Sequence, residues 1–179
     1  KISNLFKPNS IINEFIKSGL LFNENISVHT LVNIESTKKD EIFNEAKLEL
    51  RVLNGKISFD NSIFINNNIG LMEISNSDLF LENDKLILTS NLSIDIKDID
   101  GLFSFLNTSK KSRKDIKNIK LNIIYDFLSN QIELKNIKIN DNDVSSQFSN
   151  IAEGFIDINS NNLTKSRKLL NELIDLYEG

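Results

Sequence analysis

Few side chains in this 179-residue chain have a type and spacing that can do chemistry. His29 is the only histidine. A catalytic or metal role would require partners at fixed reach, and the sequence around it supplies none at a recognisable spacing. It sits among apolar residues in strand-like sequence and reads as a structural or surface residue. Asp95, Asp98 and Asp100 resemble the start of a calcium loop. The glycine and the distal glutamate of such a loop are missing, and Asp98 or Asp100 is well placed to cap a helix. A basic stretch carries Lys110, Lys111, Arg113, Lys114, Lys117 and Lys120. It can meet anionic lipid headgroups, at about 1 kcal/mol per basic residue near a charged surface, or it can be a solvated loop. Lys110, Lys111, Arg113 and Lys114 are the headgroup candidates. There is no nucleophile elbow, phosphate loop or zinc motif. The chain is therefore expected not to be an enzyme and to hold no metal and no cofactor. Asn25-Ile26-Ser27 and Asn91-Leu92-Ser93 match glycosylation sequons, which chance supplies in a chain this rich in Asn.

The elements that position these residues are mostly strands. From Lys85 to Lys97, Leu86, Leu88, Leu92, Ile94 and Ile96 share one parity, while Lys85, Asn91, Asp95 and Lys97 take the other. Successive strand side chains point to opposite faces, so this spacing makes one apolar and one wet face. The same alternation predicts strands near Ile26 to Ile34, Phe43 to Leu53, Lys56 to Phe59, Ser62 to Asn66, Gly70 to Ser75 and Leu79 to Glu82. It continues over Asn118 to Phe127 and Gln131 to Asn140. Asn54-Gly55 suits a tight primed hairpin turn. Asp60-Asn61, Asn83-Asp84 and Ser129-Asn130 read as further breaks or turns. In the last strand Ile132 and Leu134 fall on one parity and Ile137 and Ile139 on the other, which predicts a bulge near Lys135-Asn136.

Helical spacing appears in a few places. Ile11, Ile12, Phe15 and Ile16 suggest a lead-in helix stopped at Gly19. A short helix at about 99–107 presents Leu102, Phe103, Phe105 and Leu106. Val144 to Phe155 is weakly amphipathic, and 159–162 is a polar break. Leu163 to Tyr177 is helical, with Leu169, Leu170, Leu173, Ile174 and Tyr177 on one stripe. The expected organisation is a helical lead-in over 1–25, an antiparallel sheet region over 26–140 and a helical segment over 141–179. The fold class is mainly β: a curved, groove-like, largely antiparallel meander with an inserted short helix and a helical C-terminus.

Composition narrows the function classes. A formal charge of -4 and an isoelectric point near 5.1 argue against general nucleic-acid binding, which rests on phosphate neutralisation. Without cysteine there are no disulfides and no thiolate metal ligands. No apolar run approaches the roughly 20 residues of a membrane helix. The chain starts at Lys1 and reads as a piece of a longer protein, so an anchor would lie outside it. Asn, Ile and Lys are abundant, as base composition alone can make them.

Three stretches together resemble the C-terminal region of AsmA-like envelope proteins, the family of the TamB and YhdP types. The first is Gly55-Lys56-Ile57-Ser58-Phe59-Asp60-Asn61-Ser62, followed by Gly70-Leu71-Met72-Glu73-Ile74-Ser75-Asn76-Ser77. The second runs from Leu92-Ser93-Ile94-Asp95-Ile96-Lys97-Asp98 into Leu102-Phe103-Ser104-Phe105-Leu106 and the basic linker Lys110-Lys111-Ser112-Arg113-Lys114. The third is the hairpin from Ile119 to Ile139 with the helical end after it. The likeness is one of pattern and covers about Ile26 to the C-terminus. It implies a role in outer-membrane biogenesis and phospholipid transport. It also implies a periplasmic location with an inner-membrane anchor outside this chain, and envelope protein partners.

The apolar strand faces carry the functional question. Leu86, Leu88, Ile94, Ile96, Leu121, Ile123, Tyr125 and Phe127 suit acyl chains lying along an apolar groove. They equally suit the core of a closed two-layer fold lidded by the C-terminal helix, since exposed apolar area is normally limited. The first arrangement makes a lipid-handling module. The second makes a structural or protein-interaction scaffold.

Overall fold

The computed structural model describes residues 14, 18–35, 43–83, 85–127, 129, 131–144, 148 and 163–177. Among them nine strands form one antiparallel sheet: β1 (Val28–Glu35), β2 (Glu45–Leu53), β3 (Lys56–Ser58), β4 (Ile63–Asn66), β5 (Gly70–Glu82), β6 (Lys85–Ile96), β7 (Asn118–Asp126), β8 (Gln131–Ile139) and β9 (Asn142–Asp143). The spatial order follows the chain, except that β3 and β4 share one lane between β2 and β5. Helix α1 (Ile99–Leu106) joins β6 to β7, and α2 (Leu163–Leu176) follows the sheet. This is the mainly β meander with an inserted helix and a C-terminal helix that alternation predicts.

Most strand bounds agree with the sequence reading to within two residues. One differs in kind. The expected pair Gly70 to Ser75 and Leu79 to Glu82 is a single 13-residue strand, β5. Asn76 interrupts the alternation without ending the strand, because it takes φ 49° in a bulge between Ser75 and Asp78. The bulge expected at Lys135-Asn136 is present in β8, with Asn136 at φ 50°. The two-residue β9 carries no alternation to read. The helix expected at 11–16 lies outside the described residues, apart from Glu14, as do Asp84, Asn130, most of Val144 to Phe155 and the break at 159–162. After that stretch, the Ser18 amide donates to the Glu14 carbonyl at 2.9 Å, and Gly19 takes φ 75°.

The abundance of Asn has a conformational use beyond base composition. Seven asparagines (54, 61, 76, 83, 107, 136 and 140) hold positive φ among the described residues. Each sits at a turn, a bulge, a strand break or the end of α1. Asn tolerates this region because its short amide side chain can bond locally, so it does glycine's work in a chain with only six glycines.

Side chains repair the ladder where the lane between β2 and β5 is broken. The Ser62 hydroxyl accepts the Glu49 amide at 3.0 Å, which faces the gap between β3 and β4. On the other side, the Asp60 carboxylate accepts both the amide and the hydroxyl of Ser77 at 2.7 Å, and Ser77 Oγ accepts the Phe59 amide at 2.7 Å. Buried backbone groups left unpaired are costly, so these bonds let the sheet carry a break and a bulge side by side.

Candidate functional site

Strand pairing aligns the apolar positions into rows on one face of the sheet. One row runs Val28, Val52, Ile57, Leu79, Leu88, Tyr125. Val52, Ile57, Leu79 and Leu86 are fully buried there, and Phe127 is buried beside them. Leu21, Phe22 and Ile26 from the segment before β1 pack against this core. A row nearer the other end runs Ile34, Ala46, Phe64, Met72, Ile94, Ile119, Ile139. Its β7–β8 end enters a second core with Leu102, Phe103 and Leu106 of α1 and Leu169, Leu173 and Ile174 of α2. The helices therefore cover one end of the face, and the chain before β1 covers the other.

A cap and two tethers hold the helical cover. Asp98 caps α1, its carboxylate accepting the Gly101 amide at 3.0 Å, which is the capping role read from the sequence. Asn171 of α2 donates to the Leu106 carbonyl at the end of α1, at 2.9 Å, and accepts the Thr108 hydroxyl. The Tyr177 hydroxyl, just past α2, accepts the Asn140 amide group at 3.1 Å. Gly101 has no room for a methyl group, because a Cβ there would run into the Asn68 carbonyl.

Between the covered ends lies a strip of half-buried apolar side chains that, among the described residues, belongs to neither core: Leu48, Phe64, Met72, Ile74, Leu92 and Ile123. Ile74 faces Leu92 across β5–β6, and Ile123 faces Ser90 across β6–β7. Ser90 is buried with its hydroxyl unpartnered.

The eight groove candidates divide accordingly. Leu86 and Phe127 are buried in the core near β1's leading segment, and Leu88 and Tyr125 pack against it. Ile94, Ile96 and Leu121 pack against the helical core. Ile123 alone lies in the strip. Leu48, Phe64, Met72, Ile74 and Leu92 complete the strip but were not among the groove candidates. Alternation puts all of them on the same face, and it cannot say which stretch of that face the helices cover.

The basic stretch belongs to the helical end. Lys110 and Lys111 are exposed in a 3-10 turn. Arg113 stacks over the Phe103 ring at 5.5 Å and lies 3.4 Å from Asp100. Lys114 is half-buried.

The wet face carries two features of its own. His29 Nε2 and Arg51 Nε lie 3.0 and 2.7 Å from the buried Glu49 carboxylate. The Arg51 hydrogen bond is the main cause holding the Glu49 carboxyl below its ordinary range, against burial, which acts the other way. His29 is thus a surface partner of Glu49. The second feature is an open depression of about 540 Å³ near the two bulges, lined by groups that include Ser75, Asn91, Ser93, Asn122 and Lys138. Asn122 donates to Asn91 within it. Beside it, Lys120 pairs with Asp141 at 2.7 Å, which raises the Lys120 pKa and lowers that of Asp141.

Among the described residues no group of three or more His, Cys, Asp or Glu is placed to hold a metal ion, and no helix is long and apolar enough to cross a membrane. Comparison with protein-family models, with curated proteins and with solved structures returned no match.

Proposed function

We propose that this chain is a non-catalytic lipid-handling module, of the kind its resemblance to AsmA-like proteins implies. The observation that carries this reading is the half-buried apolar strip between two separately covered cores. A continuous apolar face is normally lidded along its whole length, since leaving it in water forgoes about 25 cal/mol per Å². Here a phospholipid acyl chain would lie across Ile74, Leu92 and Ile123. Contacts of this kind are non-directional, so they hold a chain without fixing its headgroup and let it slide. The site is narrower than the full face, because Leu86 and Phe127 are already used by the protein's own core.

A scaffold with a closed core is the second reading. It is favoured by the seven of the eight groove candidates that pack within or against a core. Native mass spectrometry with lipid extraction from the same sample separates the two. Phospholipid is expected at a defined stoichiometry, and lost from a Leu92→Asp, Ile123→Asp variant that still folds. A lipid-free wild type, or equal lipid in the variant, would leave the scaffold reading.

A further inference from the structure

The two edges of the sheet are built differently. At one edge β9 is only two residues long, and β8 behind it carries Glu133, Lys135 and Lys138 and the bulge at Asn136. Short edge strands, charges and bulges all discourage another strand from adding. At the other edge stands β1, Val28-His29-Thr30-Leu31-Val32-Asn33-Ile34-Glu35, eight residues in unbroken register with β2. It has no lysine, no proline and no bulge, and among the described residues β2 is its only strand neighbour. Leu31 and Val32 are 52% and 43% exposed, one on each face, so both sides of the middle of this edge meet water.

We propose that β1 pairs with β1 of a second copy of this chain, antiparallel, across a two-fold axis normal to the sheet at Val32. The charge pattern selects the second copy and the register. Glu35 sits directly opposite Glu45 of β2, a like-charge pair on the wet face that destabilises the edge. Its carboxylate has no ion-pair partner among the described residues. Pairing about Val32 places Glu35 opposite His29 of the partner copy, twice by symmetry, and supplies a hydrogen-bond donor where the fold lacks one. His29 uses Nε2 toward Glu49, and its other ring nitrogen donates to Glu35 in the imidazolium form, in which both nitrogens carry a proton. On the apolar face the same register sets Val32 against Val32 and Thr30 against Ile34, β-branched pairs suited to a sheet. Such a two-fold keeps both apolar faces on the same side, so the half-buried strips of two copies lie on one surface. The pairing does not depend on whether that surface carries lipid.

The absence of cysteine makes the register directly readable. In a Val32→Cys variant the two thiols would lie on directly opposed residues, whose Cα separation of about 4.5–5.5 Å is within disulfide reach. In a Leu31→Cys variant they would be diagonal, at about 7–8 Å or more, beyond that reach. Mild oxidation is expected to convert Val32→Cys to a disulfide dimer at least tenfold faster than Leu31→Cys. Sedimentation velocity of the wild type is expected to show a concentration-dependent dimer, weakened about tenfold or more by Glu35→Lys. A wild type that stays monomeric at the highest soluble concentration would overturn the proposal. So would cross-linking at Leu31 as fast as at Val32.

Discussion

The covered ends of the apolar face and its half-buried middle are made of the same residue types, yet they do different things. At the ends, Leu79 and Ile137 are sealed by segments from elsewhere in the chain, and the side chains there set the stability of the fold. In the middle, Ile74, Leu92 and Ile123 have the same chemistry, but among the described residues they are only partly buried and belong to neither core. The difference teaches that the sheet does not choose its own core. The segment before β1 and the two helices choose it by what they cover.

The largest effect should come from setting one region against the other by truncation. Leu79→Ala and Ile137→Ala are each expected to cost about 2–5 kcal/mol by removing packed volume from a closed core. Leu92→Ala should cost under about 1.5 kcal/mol, because less area leaves water when a half-exposed side chain is placed there. Chemical denaturation curves measure all three, and equal costs would erase the distinction between end and middle. Next in size is the tether of the helical lid. Asn171→Ala leaves the Leu106 carbonyl and the Thr108 hydroxyl without their partner and should cost about 1–3 kcal/mol. In hydrogen exchange the loss of protection should concentrate in α1 and α2 and spare β1 to β3.

A smaller change, opposite in sign, is expected in the middle. Ser90→Ala removes a buried hydroxyl with no partner and should stabilise the protein by about 1 kcal/mol in thermal or chemical unfolding. A loss would show that the hydroxyl is bonded in solution. The smallest effect belongs to the wet face. Glu49 has a lowered pKa in the folded state, so its contribution is present above its unfolded pKa and is lost as pH falls through the lower folded value. The gap in stability between wild type and Glu49→Gln should therefore be widest near neutrality and close on acidification. A gap that grew toward acid pH would contradict the assigned shift.

The sheet was legible in the sequence because its signal is local. Strict alternation in Lys85 to Lys97 and Asn118 to Phe127 fixes both strand and face, and the parity change after Leu134 located the β8 bulge. The β5 bulge was missed for an instructive reason. Asn76 looks like a terminator when asparagine is read only as a turn residue, whereas one residue at positive φ can shift the alternation and let the strand continue. The count of asparagines beside so few glycines was the available signal. The site was less legible. Membership of the apolar face follows from parity, but the cover over Leu86 and Phe127 comes from residues some 60 to 100 positions earlier in the chain. Contacts that distant leave no periodicity in the covered strands. His29 was similarly opaque, since its partner Glu49 lies on the neighbouring strand, 20 residues away.

The most direct test of the proposed open middle is thiol accessibility, which a cysteine-free chain allows one position at a time. Single cysteines at Leu92, Ile123 and Leu79 would be labelled with a maleimide, with and without phospholipid micelles. Fast labelling at Leu92 and Ile123, slow labelling at Leu79, and protection of the first two by phospholipid is the predicted result. Labelling at Leu92 and Ile123 as slow as at Leu79 would contradict it and show that the apolar face is closed along its whole length.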